Sequence, residues 1–217
     1  FFMSTHALNK SVSHSISSPV QDIIRVLKKI RNRNYDERVQ VVSNDEIGYA
    51  GDVINEMVEG LADREAMQQS LNLAKEVQQN LLPEKPPHIS GYDMFGKSHY
   101  CDETGGDYYD YLTVHPDYHH SVGVAIGDVS GHGIASALLM ATARGVLRQR
   151  FAMPGTLSDV FSDVNHLVSK DIGETGSFMT LFFLVISENS SRVRWVRAGH
   201  DPAILYDPAA DRFTRLK

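Results

Sequence analysis

Residues 122–133, Val-Gly-Val-Ala-Ile-Gly-Asp-Val-Ser-Gly-His-Gly, decide how the rest of the chain is read. Val122, Val124 and Ile126 alternate with small residues, which predicts a short strand ending at Gly127-Asp128. Gly131-His132-Gly133 then opens a helix predicted over Ile134–Gln149, with Ile134, Leu138 and Ala141 on its apolar face. A carboxylate at a strand end, followed by small residues, suits a hard divalent cation. Mg²⁺ and Mn²⁺ want oxygen ligands with open coordination positions. Gly105-Gly106-Asp107 repeats that setting upstream, and Asp110 follows by three. Two carboxylates brought together repel and raise one pKa unless cations occupy the space between them. Two ions about 3.5–4 Å apart can activate water and brace a transferring phosphoryl group. The competing reading is that both aspartates cap turns, because Asp-Gly pairing is common in loops.

Downstream, Thr156 and Asp159 form a near-capping-box that starts a helix with Leu157, Val160, Phe161, Val164 and Val168 on its apolar face. Residues 178–187, dense in aromatic and β-branched side chains, predict a buried strand. Two more strands are expected at 193–196 and 203–206, as a hairpin around Gly199-His200-Asp201-Pro202. Helices lying between groups of strands argue for a layered α+β domain. Trp195, Phe178, Phe182 and Phe183 read as core rather than as a stacking platform.

Upstream, Val20, Ile23, Ile24, Leu27 and Ile30 recur at three and four, an amphipathic helix with Pro19 in its first turn. Lys28, Lys29, Arg31 and Arg33 gather at its end, suiting the helix dipole or facing anionic lipid. Residues 34–42 look extended, and Ser43-Asn44-Asp45-Glu46-Ile47-Gly48 reads as turn formers. A second helix is predicted from Asp52 to about Leu82, with Ile54, Met57 and Leu61 as its first stripe. Two helices so short of core residues need a parallel dimer to bury both stripes. Pro83, Pro86 and Pro87 end the helix and mark a boundary.

Composition sets outer limits. The chain has 217 residues, ordinary apolar content (42%) and a formal net charge of -6, which argues against a general nucleic-acid binder. Bound cations would still allow a phosphorylated substrate. Cys101 is the only cysteine, so no intramolecular disulfide forms, and a buried or incidental role is expected for it. No apolar run reaches the roughly 18 residues that span a bilayer. Phe1-Phe2-Met3 is compatible with the trailing edge of a transmembrane helix, and the missing initiator methionine is consistent with a fragment. Among the histidines, His132 is placed either to protonate a leaving group or to brace its loop, with bracing favoured. Backbone N–H groups of its loop suit an anion, although no P-loop Gly-Lys-Ser/Thr follows. His200 carries the same ambiguity, and His119-His120 with His115 reads as solvent-facing.

The order Gly105-Gly106-Asp107-Tyr108-Tyr109-Asp110, Gly127 to Gly133, then Ala198-Gly199-His200 resembles the bacterial sigma-regulatory serine phosphatases. These are the sporulation stage II E-like branch of the PP2C-type metal-dependent phosphatases. Glu76-Val77-Gln78, Leu81-Leu82-Pro83, Ala137 to Met140, Phe178 and Thr180 support the likeness over residues 75–217. Residues 19–65 resemble a HAMP signalling module, with Pro19, Asp45-Glu46-Ile47-Gly48, Asn55 and Met57 at its marks. The resemblance implies a PP2C-like α/β-β/α layered sandwich, truncated here, behind a HAMP-type module and stalk helix. Its expected boundaries are a juxtamembrane segment at 1–18, HAMP-like residues 19–65, a stalk and linker at 66–87, and phosphatase residues 88–217.

By resemblance, two Mn²⁺ or Mg²⁺ ions are held by Asp107, Asp128 and the Val129 carbonyl, and a bridging water attacks phosphorus without a phosphoenzyme. Asp107, Asp128 and His132 are the implied catalytic residues. The implied substrate is a phosphorylated anti-sigma-factor antagonist. The implied context is a homodimer joined through HAMP and stalk helices at the cytoplasmic face of the bacterial inner membrane, below a transmembrane sensor. Further metal-binding aspartates are expected beyond Lys217, so this stretch alone is expected to lack turnover; Asp207 and Asp211 are not in the family's Thr-Asp-Gly setting. Two alternatives stand: an inactive PP2C-like regulatory scaffold, and a HAMP-linked nucleotide cyclase, which the glycine-histidine-glycine motif disfavours.

Overall fold

The computed structural model describes residues 13–99, 104–113, 121–173, 176–188 and 192–216. Cys101, His115, His119 and His120 lie outside the described residues. Contacts divide the chain into two units, one up to Ser70 and one from Leu71 onward.

In the first unit a π-helical turn, Ser13–Ser17, leads into α1, Ser18–Arg31, with Pro in its first turn and Lys28, Lys29 and Arg31 in its last. The long helix α2 spans Glu46–Leu81 and crosses into the second unit. It starts at Glu46 rather than at Asp52 because Asp45 is a cap. The Asp45 carboxylate accepts the N–H groups of Ile47 and Gly48, both at 3.1 Å. What reads as a turn in sequence is thus a helix start. Val26, Val39 and Val58 are the buried apolar residues here. The connector is pinned by Asn55, which accepts from the Val39 N–H at 2.8 Å and donates to the Val39 carbonyl at 3.0 Å. Asp22 accepts the Gln40 N–H at 3.0 Å, and Arg25 pairs with Glu37 at 2.6 Å. Ile16, Val20, Ile24 and Leu27, and on α2 Tyr49, Val53 and Met57, remain exposed. Of the neighbouring pair Met57 and Val58, Val58 is the one that is buried.

In the second unit four strands form one antiparallel sheet in sequence order: β1 (Tyr108–Thr113), β2 (Ser121–Val129), β3 (Met179–Ser187) and β4 (Arg194–Ala198). Helices α3 (Ile134–Phe151) and α4 (Leu157–Ile172) pack on one of its faces. That core joins Tyr108, Leu112, Ala125, Val129, Leu181, Phe183 and Val185 from the sheet to Met140, Leu147, Phe151, Val160 and Val164 from the helices. Phe183 is fully buried and stacks on Phe151 at 4.1 Å. Burying such a side chain contributes about 1.5–3 kcal/mol. The Thr156–Asp159 capping box forms as expected and starts α4.

Four expectations change. α3 buries Ser136, Ala137, Met140, Ala143, Leu147 and Phe151, while Ile134 and Leu138 stay exposed. Small residues at its N-terminal end and Met140, Leu147 and Phe151 further along form one stripe that packs into the core with the sheet. Residues 193–196 and 203–206 do not pair with each other. β4 joins β3, and β5 (Ile204–Asp207) pairs with β6 (Arg212–Arg215). Asp207 and Asp211 build that hairpin: Asp207 accepts the Ala209 N–H at 3.0 Å and Asp211 accepts from the Tyr206 hydroxyl at 2.9 Å. β1 is not predicted from sequence, because its inward positions are Tyr108, Asp110 and Leu112, and a buried aspartate breaks the apolar alternation. Phe178 is 60% exposed, whereas Phe182 and Phe183 are core and Trp195 is half-buried against Phe182.

The domain is thus a mixed α+β layer structure, preceded by the helical unit and its long helix. Among the described residues no helix is long and apolar enough to cross a membrane.

Candidate metal centre

The register of β1 and β2 builds the site. Tyr108 pairs with Gly127, and one step further the Val129 N–H donates to the Gly106 carbonyl at 3.2 Å. Between those two pairs Asp107 stands opposite Asp128. Directly opposed residues of antiparallel strands project to the same face. Both side chains reach solvent, on the face away from α3 and α4. They are close enough for a protonated Asp107 to hydrogen-bond Asp128. Burial, then the Asp128 charge, raise the Asp107 pKa above its ordinary value.

The glycines here have specific reasons. A Cβ on Gly106 would stand 2.4 Å from the Val129 carbonyl oxygen, so only glycine lets β1 come this close. Gly131 and Gly133 hold φ of +90° and +79°, conformations that L side chains rarely adopt. They turn the chain from β2 into α3, whose first residue, Ile134, follows at once. His132 lies exposed within this turn, on the connection out of the site rather than on its floor.

Three anchors hold these strands. Ser130 and Phe178 extend the β2–β3 ladder past Asp128: the Ser130 N–H donates to the Phe178 carbonyl at 2.8 Å, and Ser130 Oγ accepts the Phe178 N–H at 2.9 Å. Buried Gln78, near the end of α2, donates to the Gly105 carbonyl and accepts the Gly105 N–H. That pair of bonds fixes the backbone two residues before Asp107. Asp110 is the third anchor and is no ligand of the site. It is fully buried, on the opposite face of β1 from Asp107, and takes two hydrogen bonds from Arg148 of α3 at 2.7 and 2.6 Å. Tyr108 donates its hydroxyl to it at 3.1 Å, and burial, with the Asp110 charge second, pushes that phenol's pKa up. The Asp110 hydrogen bond raises the Arg148 pKa.

Sequence reading placed Asp107 and Asp128 together, and the structure does so. It missed Asp110 with Arg148, which lie 38 positions apart. It noted Gln78 and Thr180 only as marks of resemblance; Gln78 was legible in principle as a polar residue on the inward stripe of a helix.

The donor set fits a divalent cation on two observations of this chain. Two adjacent carboxylates oppose each other's ionisation, a penalty that a cation would cancel. The missing Cβ of Gly106 lets β1 close against the Val129 carbonyl, which brings that oxygen next to the two carboxylates. Among the described residues no third His, Cys, Asp or Glu completes a cluster.

Residues 118–217 match the family described as Stage II sporulation protein E (SpoIIE), and residues 11–63 match the HAMP domain. The two matches follow one another along the chain, the HAMP match first and the SpoIIE match after it. It is 25% identical over 218 residues to "Phosphoserine phosphatase RsbU" of Bacillus subtilis, covering 96% of this chain and 62% of that protein. It is 29% identical over 142 residues to "Phosphoserine phosphatase RsbP" of the same organism, covering 63% of this chain and 34% of that protein. The chain thus spans less than two thirds of either relative. Among solved structures, the SiaA-PP2C domain of Pseudomonas aeruginosa overlaps 63% of this chain and 55% of its own, at 17% identity and a TM-score of 0.48.

Proposed function

We propose that this chain is part of a metal-dependent protein serine/threonine phosphatase whose cations sit on Asp107, Asp128 and the Val129 carbonyl. The observation that carries the reading is the opposition of the two carboxylates across β1 and β2, on a face open to solvent. Mn²⁺ or Mg²⁺ at that place would supply a water nucleophile at neutral pH and positive charge for the phosphoryl oxygens. The chain's own residues do the rest. Gly106 and the β1–β2 ladder set the carboxylate spacing, and the Gly131–Gly133 turn delivers the α3 N-terminus toward an anion. His132 orients that turn. The relatives named phosphoserine phosphatases supply the substrate class, and within it a phosphorylated anti-sigma-factor antagonist is the favoured protein.

Control fits the helical unit. The exposed stripes of α1 and α2 suit a parallel homodimer through the HAMP and stalk helices, and α2 ends on the Gly105 backbone through Gln78. A transmembrane sensor upstream, at the cytoplasmic face of the inner membrane, would provide the input.

The full-length protein should release inorganic phosphate from a phosphoserine protein with Mn²⁺ and none with EDTA. Asp107→Asn and Asp128→Asn should each remove turnover and weaken Mn²⁺ binding. Full activity in Asp128→Asn refutes the mechanism; conversion of ATP to a cyclic product would favour the cyclase instead.

A further inference from the structure

β3 continues the row that Asp107 and Asp128 begin. Thr180 pairs with Asp128, so Asp107, Asp128 and Thr180 stand on one face of three successive strands, about 4.8 Å apart. The Thr180 hydroxyl lies 3.5 Å from the Asp128 carbonyl, to which it donates, and 2.8 Å from His200 Nδ1. The 2.8 Å contact holds the ring with Nδ1 on the Thr180 side and leaves Nε2 as the nitrogen that can meet a ligand.

The turn bearing His200 is held just as firmly. Gly199 makes an isolated parallel bridge to Leu181 with φ of +69°. Arg197 donates to the His200 carbonyl at 3.1 Å, and the residue is half-buried. Such an imidazole, placed beyond Asp128 on the side away from Asp107, stands where chemistry needs a proton donor. In an in-line displacement the attacking and leaving oxygens lie on opposite sides of phosphorus.

The geometry points to His200, set by Thr180, as the general acid that protonates the serine or threonine oxygen leaving phosphorus. This rests on the phosphatase reading above. A water oxygen bonds to phosphorus while the bond to the side-chain oxygen breaks, and that bond's electron pair stays on the leaving oxygen. His200 Nε2 gives its proton to that oxygen. One water proton remains on the phosphate, the other passes to solvent, and solvent returns one to His200. The products are a hydroxyl side chain and inorganic phosphate. His200 is then a catalytic residue, and Thr180 a positioning residue.

Leaving-group chemistry tests this in the full-length protein with Mn²⁺. Serine alkoxide needs a proton to depart, whereas p-nitrophenolate does not. His200→Ala should lower kcat on a phosphoserine protein by about 100-fold and on p-nitrophenyl phosphate by less than about threefold. Thr180→Val should show the same selectivity in weaker form, and Thr180→Ser should restore it. Mn²⁺ affinity by calorimetry and thermal stability should match wild type in His200→Ala. Equal losses on both substrates, or no loss on either, overturn the role of His200 and leave the phosphatase reading standing. A wild-type protein inactive on both substrates, or an active Asp128→Asn, overturns the phosphatase reading itself.

Discussion

Removing Arg148 tests whether the buried Asp110 is the fastening between β1 and α3. Asp110 is 0% exposed and takes two charge-assisted hydrogen bonds from Arg148, at 2.7 and 2.6 Å. Its remaining supports are the Tyr108 hydroxyl at 3.1 Å, the Tyr111 N–H at 2.9 Å and the Arg144 guanidinium at 3.7 Å. Arg148→Met keeps the aliphatic stem and removes the charge, leaving a buried carboxylate with one distant cation. Stranding a buried ion costs about 3–5 kcal/mol, and the 43% exposure of the Arg148 side chain reduces this to about 2–4 kcal/mol through solvent screening. For a unit of this size that is a Tm drop of roughly 4–16 °C. Trp195, the only tryptophan, lies in β4 and reports this unit by its fluorescence during thermal or urea unfolding. Asp110→Asn in the Arg148→Met background should recover part of the loss, since the stranded charge is gone. A Tm within about 1 °C of wild type for Arg148→Met would show that Asp110 is satisfied without its partner, and the argument from burial would be wrong.

Three further outcomes are expected. With divalent ions removed, the raised Asp107 pKa means that unfolded Asp107 ionises first as pH rises. Asp107 should therefore contribute its increment in full below the ordinary aspartate range and lose it as pH climbs through the raised value, a component of the pH slope that Asp128→Asn should remove in metal-free thermal melts. Gly106→Ala places a Cβ 2.4 Å from the Val129 carbonyl, so β1 must retreat; the expected cost is about 1–3 kcal/mol in urea unfolding, together with loss of Mn²⁺ affinity by calorimetry. Gln78→Ala leaves both backbone groups of Gly105 without their partner, about 1–3 kcal/mol by the same unfolding assay, with a fall in kcat rather than a rise in KM if the loop of Asp107 loosens.

The sequence by itself determined the elements whose signal is local. Alternation of Val122, Val124 and Ile126 marks β2, the Thr156–Asp159 box starts α4, and glycines at 131 and 133 are required by positive φ, so the turn and its neighbouring aspartate were legible. Asp107 and Asp128 could be nominated from chain order because each abuts a glycine where backbones must come close. Local signals fail where a residue's role depends on what lies across from it. Asp110 in β1 looks solvent-facing until Arg148, 38 positions later, supplies its counter-charge. α3 presents two plausible faces, and only the sheet selects the one carrying Ala137, Met140, Leu147 and Phe151. The 203–206 strand pairs forward to β6 through a turn held locally by Asp207 and Asp211, while 193–196 is claimed by β3, a partner that no local window contains. Strand register decided the chemistry in the same way. It alone lines up Asp107, Asp128 and Thr180 on one face and brings His200 to their flank, because side chains alternate with a period of two and a one-residue slip would send them to the opposite side.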